Sequence, residues 1–313
     1  ITGIIGIVGC CTLIVCAFGM LNSMNHFIKL QFEDLYNFDY KLTLKENIDE
    51  KSLLTLEEKY GNATSKTYGI EYLNKDNERI SNNVFVYDAK NYIRFKNEDE
   101  KYMDINNDDG IYITRKLASS ENLKIGDKVK WHIYGSDKYY TSTIVGFNKD
   151  PQNQNITITR NYLEKLGIKY VPDTIYTNYD LKNVDSINNV TIIKNVESLK
   201  TSMQSMLSMM KKMISLISVF AIILGSVIIY NMGILSYSEK EYQFATLKVL
   251  GFKDKQIKNI FIKQNIWITI ISIIIGLPSG YYLTSWLFKA CLDENFDFGV
   301  HINITTYILA SIG

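Results

Sequence analysis

The chain has 313 residues, and its 34 Lys and Arg against 33 Asp and Glu leave a formal net charge of +1. This balance gives no reason to expect a nucleic-acid partner, because such proteins carry basic patches and high net positive charge. Uncharged apolar runs alternate with a long polar middle region, and three of the runs are long enough to cross a bilayer.

The first uncharged run covers residues 1–24 and is assigned to transmembrane helix 1. A helical period continues beyond it, which predicts a stalk helix over about 25–38 that ends near Tyr36. A second stalk is predicted over about 195–212 and leads into the next apolar run with no Gly or Pro between them. Its apolar stripe favours a packing seam between the two stalks over a ligand surface, with four residues in the seam: Leu199, Met203, Met206 and Met210.

The polar middle region, within residues 25–212, alternates β-prone stretches with turns, which is typical of a folded α+β domain. The predicted strands are Thr67–Leu73, Val84–Tyr87, Tyr92–Phe95, Gly110–Thr114, Lys128–Tyr134, Thr141–Phe147, Thr174–Tyr179 and Val190–Ile193. Two short helices are predicted at Arg115–Glu121 and Arg160–Leu166.

Transmembrane helices 2 and 3 are assigned to residues 213–236 and 264–288, followed by an outer loop at 289–301. Residues 302–313 are predicted to form the start of a fourth span, which is truncated in this sequence. In helix 3, Ser272, Gly276 and Gly280 recur every four residues and predict a small-residue packing stripe; a substrate-contacting groove is the alternative. Pro278 is expected to kink this helix and make it a hinge.

The loops indicate the orientation of these spans. The segment at residues 237–263 carries six lysines: Lys240, Lys248, Lys253, Lys255, Lys258 and Lys263. The loop after helix 3 has Lys289 against Asp293, Glu294 and Asp297. The positive-inside rule therefore places residues 237–263 in the cytoplasm and the large polar domain outside the cell membrane.

The segment at residues 237–263 also shows helix signals. Ser238 and Glu241 have the spacing of a capping box, which predicts a helix start, and Gly251 is expected to stop that helix. A second amphipathic helix is predicted to follow, with Ile257, Ile260 and Phe261 on its apolar side and Lys255, Lys258 and Asn259 on the other. From charge alone, the segment could equally lie on anionic lipid headgroups or serve a protein partner.

The stretch Glu241 to Gly251, which reads E-x-x-x-A-T-L-K-x-L-G, resembles the signature of the FtsX/MacB-type ABC permeases. The stretch GIYITRKLASSENLKIGDKV, residues 110–129, is similar to the MacB-type periplasmic core, and the first apolar run resembles the start of the second permease unit in long Gram-positive FtsX-like proteins. The resemblance implies that the loop contacts an ABC ATPase subunit. It assigns ATPase coupling to Glu241, Phe244, Ala245, Leu247, Lys248 and Gly251.

Catalytic and metal-binding patterns are missing from the sequence. It contains no G-x-x-x-x-G-K-[ST] loop, no H-x-x-x-H pair and no nucleophile elbow, so no catalytic residue or metal site is assigned. We expect no enzyme activity and no cofactor in this chain, with ATP and Mg in the partner subunit.

The predicted fold class is an α-helical transmembrane protein of four spans, the last truncated, plus an extracytoplasmic α+β domain on two stalk helices. The predicted function is a multi-pass permease subunit that couples a partner ATPase to movement of a lipid or peptide substrate by mechanotransmission. The expected partners are that ATPase, the lipid bilayer and a second permease unit, in the same chain or in a dimer. The alternative is an ATP-driven signalling complex that acts on a cell-wall hydrolase or senses an antimicrobial.

Overall fold

The computed structural model describes residues 2–74, 77–89, 91–251, 253–291 and 295–312. The chain divides into two compact units. The sheet unit comprises Phe27–Ser205 and Asp293–Asp297, and the helical unit comprises Ile1–His26, Met206–Leu292 and Phe298–Gly313. The sheet unit is close to the α+β domain predicted within residues 25–212.

The sheet unit is built on nine strands of one mixed sheet and a separate two-stranded ribbon. The strands of the large sheet are β1 (Tyr40–Leu44), β2 (Ala63–Leu73), β3 (Arg79–Asp88), β6 (Ile111–Thr114), β7 (Lys128–Ile133), β8 (Tyr140–Asn148), β9 (Ile156–Thr159), β10 (Thr174–Thr177) and β11 (Val190–Asn195). The ribbon pairs β4 (Phe95–Lys96) with β5 (Tyr102–Met103). The sheet order is β11-β1-β10-β2-β3-β9-β6-β8-β7.

The sheet closes on itself because β2 also pairs with β7, the last strand of that order. β2 has 11 residues, enough for one edge to pair first with β10 and then with β7. Strands β2, β3, β9, β6, β8 and β7 thus form a ring, in which only β3–β9 and β6–β8 are parallel pairs. The alternating burial of β8 shows one face turned inward, as period-two patterning requires.

The ring encloses the main hydrophobic core of the sheet unit. Trp131, Ile70 and Ile158 are each 0% exposed, and the Trp131 indole N–H donates to the Ser142 hydroxyl at 3.0 Å. Two short helices cover this core, α3 (Arg115–Ser120) and α4 (Arg160–Lys165). Both helices were predicted within one residue of these bounds.

A second, smaller core lies between β1, β10 and helix α2 (Glu50–Tyr60). Helix α2 was not predicted from the sequence, because five of its 11 residues are Glu or Lys and the segment is polar overall. The available signal was its cap, since the Asp49 carboxylate accepts the Ser52 N–H at 3.0 Å. β1, β5 and β9 were also missed, and the predicted strand Tyr92–Phe95 is wrong except at Phe95, where β4 begins.

The first helix, α1 (Thr2–Lys29), continues as a π-helix over Leu30–Leu35. Tyr36 then turns to extended backbone, with φ −86° and ψ 125°, so the predicted end near Tyr36 is confirmed. In the sheet unit, an ion pair holds the π-helix against β4, since the Lys96 ammonium lies 2.7 Å from the Asp34 carboxylate.

The remaining helices are α5 (Val196–Val249), α6 (Asp254–Cys291) and α7 (Ile304–Ile312). Within the described residues, three helical stretches are long and apolar enough to cross a membrane: Ile4–Leu35, Val196–Leu235 and Ile266–Ala290. The predicted fourth span corresponds to α7, which has 9 residues here.

Helix α5 begins where the second stalk was predicted, but its buried stripe differs by one residue from the predicted seam. Met203 is 9% exposed and Leu207 is 0% exposed, whereas Met206 is 51% exposed. Leu199 and Met210 are half-buried. The buried positions therefore step by four, from Met203 to Leu207, and the seam between the two stalks stays a prediction.

Candidate functional site

The candidate site lies at the C-terminal end of α5 and in the turn that leads to α6. Three of the predicted coupling residues, Glu241, Ala245 and Lys248, have exposed side chains. Residues three and four apart share a helix face, so these three form one strip along α5. Leu247 is half-buried, and the side chain of Phe244 lies outside the described part of the chain.

Gly251 ends this helix, as the sequence predicted. α5 stops at Val249, and Gly251 has a φ of +92°, a left-handed conformation that a Cβ would strain. The Leu250 N–H donates to the Thr246 carbonyl at 3.0 Å, and the Gly251 N–H donates to the Lys248 carbonyl at 3.1 Å. These bonds satisfy two of the carbonyls that a helix end leaves without partners.

The helix does not begin at Ser238, so the predicted capping box at Ser238 and Glu241 is wrong. α5 passes through this region without interruption. An interior serine can bond the carbonyl one turn earlier instead of capping, as Ser226 does to Ile222 at 2.9 Å. No proline separates the apolar run from the coupling residues, so the membrane helix simply continues.

A partial capping box does exist, at the start of α6. The Gln256 side-chain oxygen accepts the Lys253 N–H at 2.9 Å, and the Gln256 N–H donates to the Lys253 carbonyl at 2.8 Å. This is the back-bonding half of the motif. Beyond it, Ile257 is buried at 8%, whereas Lys255, Lys258 and Asn259 are exposed, as the predicted amphipathic pattern requires. The side chains of Ile260 and Phe261 lie outside the described part.

Three large apolar side chains near the end of α5 are strongly exposed: Tyr242 at 85%, Val249 at 89% and Leu250 at 70%. Tyr242 and Val249 lie seven residues apart and share a face, with Leu250 beside them. An apolar patch among charged residues is typical of a protein contact surface. These residues were not predicted from the sequence, because the predicted coupling residues were chosen by the family resemblance. The helical spacing of Tyr242 and Val249 was the signal that could have identified them.

The predicted small-residue stripe on α6 lies against α1. A Cβ added to Gly276 would lie 2.7 Å from the Cys11 Cβ, and one added to Gly280 would lie 2.5 Å from the Val15 Cβ. Ser272 is 0% exposed and bonds the Ile268 carbonyl of its own helix at 2.8 Å. The two helices therefore approach as closely as glycine permits, which is a packing contact.

Pro278 lies within α6, between these two glycines in sequence, and its side chain is exposed. Proline has no N–H, so the Ile274 carbonyl loses its usual helical donor. The Thr12 hydroxyl of α1 donates to the Gly276 carbonyl at 3.4 Å, which ties the same turn of α6 to its neighbour. The hinge at this turn stays a prediction.

Helix α1 also contacts the other two helices of the helical unit. A Cβ on Gly225 of α5 would lie 3.3 Å from the Cys10 Cβ. The Cys11 thiol donates to the Ala310 carbonyl of α7 at 3.6 Å, and the Asn22 amide donates to the Thr306 hydroxyl at 2.8 Å. α1 is therefore the common neighbour of α5, α6 and α7.

Among the described residues, no group of three or more His, Cys, Asp and Glu side chains converges to hold a metal ion. His132 faces acceptors on both ring nitrogens, with Glu71 at 3.1 Å and the Ser136 carbonyl at 3.0 Å. The rings of His26 and His301 stack at 4.2 Å, a geometry unlike that of two ligands converging on one metal. These histidines therefore form structural contacts.

Comparison with known protein families matches residues 215–313 to the FtsX-like permease C-terminal family. The matched range contains the end of α5, the turn at Gly251, α6 and α7, and so includes the candidate site. A search of curated proteins found no match.

Proposed function

We propose that this chain, whose residues 215–313 belong to the FtsX-like permease family, is the membrane subunit of an ABC transporter of the FtsX/MacB type. A separate ATPase subunit drives it, and ATP and Mg²⁺ bind that partner. The observation that carries the proposal is the exposed end of α5 within the matched range, where Tyr242, Val249 and Leu250 lie beside Glu241 and Lys248. We infer that this end of α5 is the surface that receives the ATPase.

The proposed mechanism is mechanotransmission through α5. This helix has 54 residues without interruption, which at 1.5 Å per residue gives a length of about 80 Å. Movement imposed near Glu241 would shift the whole helix, because a hydrogen-bonded helix resists compression and bending. Its stretch 213–238 contains no charged residue, which argues against an ion path along this helix. We infer that this movement of α5 is transmitted to the sheet unit, which acts on a lipid or peptide substrate.

A coupling experiment tests the proposed surface. The double variant Y242A/L250A should lose copurification of the partner ATPase and reduce substrate-stimulated ATP hydrolysis about tenfold, because the removed side chains form the centre of the contact. The matched control is L54A, which truncates a leucine of α2 that is 53% exposed. Equal ATPase binding by Y242A/L250A and L54A would count against the proposal.

A labelling experiment tests the orientation. Lys255 and Lys169 are both exposed, one in each unit. An impermeant maleimide should label K169C in intact cells and K255C only after permeabilisation, with the unsubstituted chain as the background for native cysteines. Labelling of K255C in intact cells would place the coupling turn on the wrong side of the membrane.

The signalling alternative uses the same coupling surface, so a different readout separates the two. Transport requires that a purified complex of this chain with its ATPase move a labelled lipid or peptide between compartments. A regulatory complex would hydrolyse ATP and change the activity of an extracellular partner without moving either substrate.

A further inference from the structure

The large sheet has an open edge at β11. This strand begins the sheet order and pairs with β1 alone among the described residues, whereas β7 at the other end of that order is closed onto β2. The pairing of β11 with β1 is regular over residues 192–195. Thr191, Ile192 and Lys194 have exposed side chains, and Ile192 is 43% exposed. β11 is therefore the strand at which another strand can join the sheet.

The backbone of β11 presents hydrogen-bonding groups at this edge. The Leu44 N–H donates to the Asp173 carbonyl at the start of β10, so β1 turns its even-numbered residues to β10 and its odd-numbered residues to β11. Ile192 and Lys194 lie opposite odd-numbered residues of β1, so their backbone groups face β1. The N–H and C=O of Ile193 face the open edge, where they form no hydrogen bond with the described residues. An extended peptide supplies the donors and acceptors that such an edge requires.

Two lysines lie side by side on one face of the sheet at this edge. Lys41 of β1 and Lys194 of β11 are directly opposed, which places their Cβ atoms about 5 Å apart. Among the described residues, neither ammonium forms an ion pair with a carboxylate. Asp173 attracts Lys41 from a greater distance, but its carboxylate already pairs with the Lys66 ammonium at 3.5 Å. The two lysines therefore present positive charge without a direct counterion.

Protection of the edge does not explain both lysines. A lysine on an edge strand commonly keeps other strands from pairing with it, and the exposed Lys194 is enough for that purpose. Lys41 lies on the inner strand and is half-buried, and burial and the adjacent Lys194 lower its pKa. Its charge therefore destabilises the sheet without adding protection. An anion bound by both ammonium groups accounts for this placement.

We propose that β11 binds an acidic peptide in extended conformation, which adds to the sheet as a further strand. The peptide backbone bonds the N–H and C=O of Ile193, and a carboxylate of the peptide lies beside Lys194, within reach of Lys41 on the next strand. Acidic residues alternating with apolar ones suit this edge, because the residue opposite Ile193 lies on the other face from the two lysines. The surface shares no residue with the ATPase surface, so either proposal can fail without the other.

The test uses the full chain in phosphatidylcholine nanodiscs and measures peptide binding by fluorescence anisotropy. The probe is a short fluorescein-labelled peptide in which glutamate alternates with valine. Replacing each glutamate by glutamine should weaken binding by at least about tenfold, because the peptide loses its charge-assisted contacts. Methylating the backbone nitrogens of the valines should also weaken binding by at least about tenfold, because it blocks the hydrogen bonds to the strand and leaves the charges in place.

Variants of the chain test the two lysines. K41M/K194M should reduce the affinity for the glutamate peptide to that for the glutamine peptide. The matched control is K128M, which removes an exposed lysine of β7 in the same unit and should leave binding unchanged. Circular dichroism melting should show K41M/K194M at least as stable as K128M, because the like-charge pair is gone. If the double variant does not fold, the single variants K41M and K194M should each give a smaller loss of binding.

Four outcomes would overturn the proposal. The first two are equal or no saturable binding of the glutamate and glutamine peptides, and unaltered binding in K41M/K194M. Undiminished binding of the methylated peptide is the third, since the lysines would then bind any anion, a lipid headgroup included, without strand addition. The fourth is a dimer of the full chain that the glutamate peptide dissociates in light scattering, which would place a second copy of β11 at this edge.

Discussion

In the sheet unit, large side chains fill the core: Trp131 and Ile70 are 0% exposed and Tyr72 is 2% exposed. In the helical unit, Gly276 and Gly280 bring α6 against α1 where a Cβ would lie 2.7 Å and 2.5 Å from it, while Trp267 is 65% exposed. This difference in packing reflects the medium around each unit, which is water for the sheet unit and lipid for the helical unit. Water drives large apolar side chains inward, whereas lipid is as apolar as leucine and leaves close packing of small residues to join helices.

This comparison divides the exposed apolar residues of α5 into two groups with different explanations. Those within the uncharged run, such as Phe220 at 56%, are exposed as a lipid-facing helix requires. Tyr242, Val249 and Leu250 lie beyond that run, next to Glu241 and Lys248, where the surroundings become polar. The lipid environment does not account for their exposure, which supports the proposal that a protein partner covers them.

The largest effect is expected from removing a large side chain from the sheet core. Trp131→Ala should lower the free energy of unfolding by about 3–5 kcal/mol, because it leaves a cavity inside the strand ring and orphans the Ser142 hydroxyl. Differential scanning calorimetry of the full chain in nanodiscs measures the change. The control Ile125→Ala, at a side chain 61% exposed, should stay within about 0.5 kcal/mol.

Adding a side chain to a closely packed glycine tests the helical unit. Gly280→Val should destabilise the packing of α6 on α1 by about 2–3 kcal/mol, since its Cβ would lie 2.5 Å from the Val15 Cβ and 3.1 Å from the Thr12 carbonyl. Size-exclusion chromatography in detergent and thermal melting measure the loss. Gly233→Val is the matched control, because a Cβ there has nothing within 4 Å. Similar behaviour of the two variants would contradict the close-packed seam.

A partly buried ion pair joins Lys96 and Asp34 in the sheet unit. Asp34→Ala should destabilise the chain by about 2 kcal/mol, because it leaves the Lys96 ammonium, whose side chain is 9% exposed, without its carboxylate. The double variant D34L/K96L should recover most of that loss in the same calorimetric assay. If D34L/K96L were no more stable than D34A, the cost would come from lost packing rather than from the unpaired charge.

Helices and strands with strong local signals could be predicted from the sequence. Gly251 ends α5 because glycine adopts the left-handed backbone conformation at a lower energetic cost than other residues. That preference is a property of the residue itself, so it can be predicted from the sequence. The closure of β2 onto β7 could not be predicted, since it depends on the 11-residue length of β2 and on pairing partners distant in sequence. β9 reads Ile-Thr-Ile-Thr, so its period-two alternation was present in the sequence and was overlooked.

The candidate site shows the same division. Motif residues such as Glu241 and Lys248 were proposed by resemblance, whereas the seven-residue spacing of Tyr242 and Val249 was available in the sequence but carries no family resemblance. The Ser238 capping box failed because the S-x-x-E spacing also fits a helix interior.

The smallest effect concerns a half-buried lysine on β1. Burial lowers the pKa of Lys41, Asp173 opposes that shift and Lys194, paired with Lys41 across β1 and β11, adds to it. Between the lowered pKa and the usual 10.5, the folded state holds fewer protons than the unfolded state, so stability rises with pH in that window. At pH 7 the charge on Lys41 therefore lowers the free energy of unfolding.

Lys41→Met should raise the free energy of unfolding at pH 7 by about 0.5–1 kcal/mol, since it removes a desolvated charge and a like-charge pair. The gain should shrink as the pH approaches 10.5, where the wild-type lysine also becomes neutral. Melting curves at pH 7 and pH 10 measure both effects, and the exposed neighbour variant Lys45→Met should show neither. A gain that is the same at both pH values would mean that packing of the methionine, and not loss of the charge, stabilises the strand.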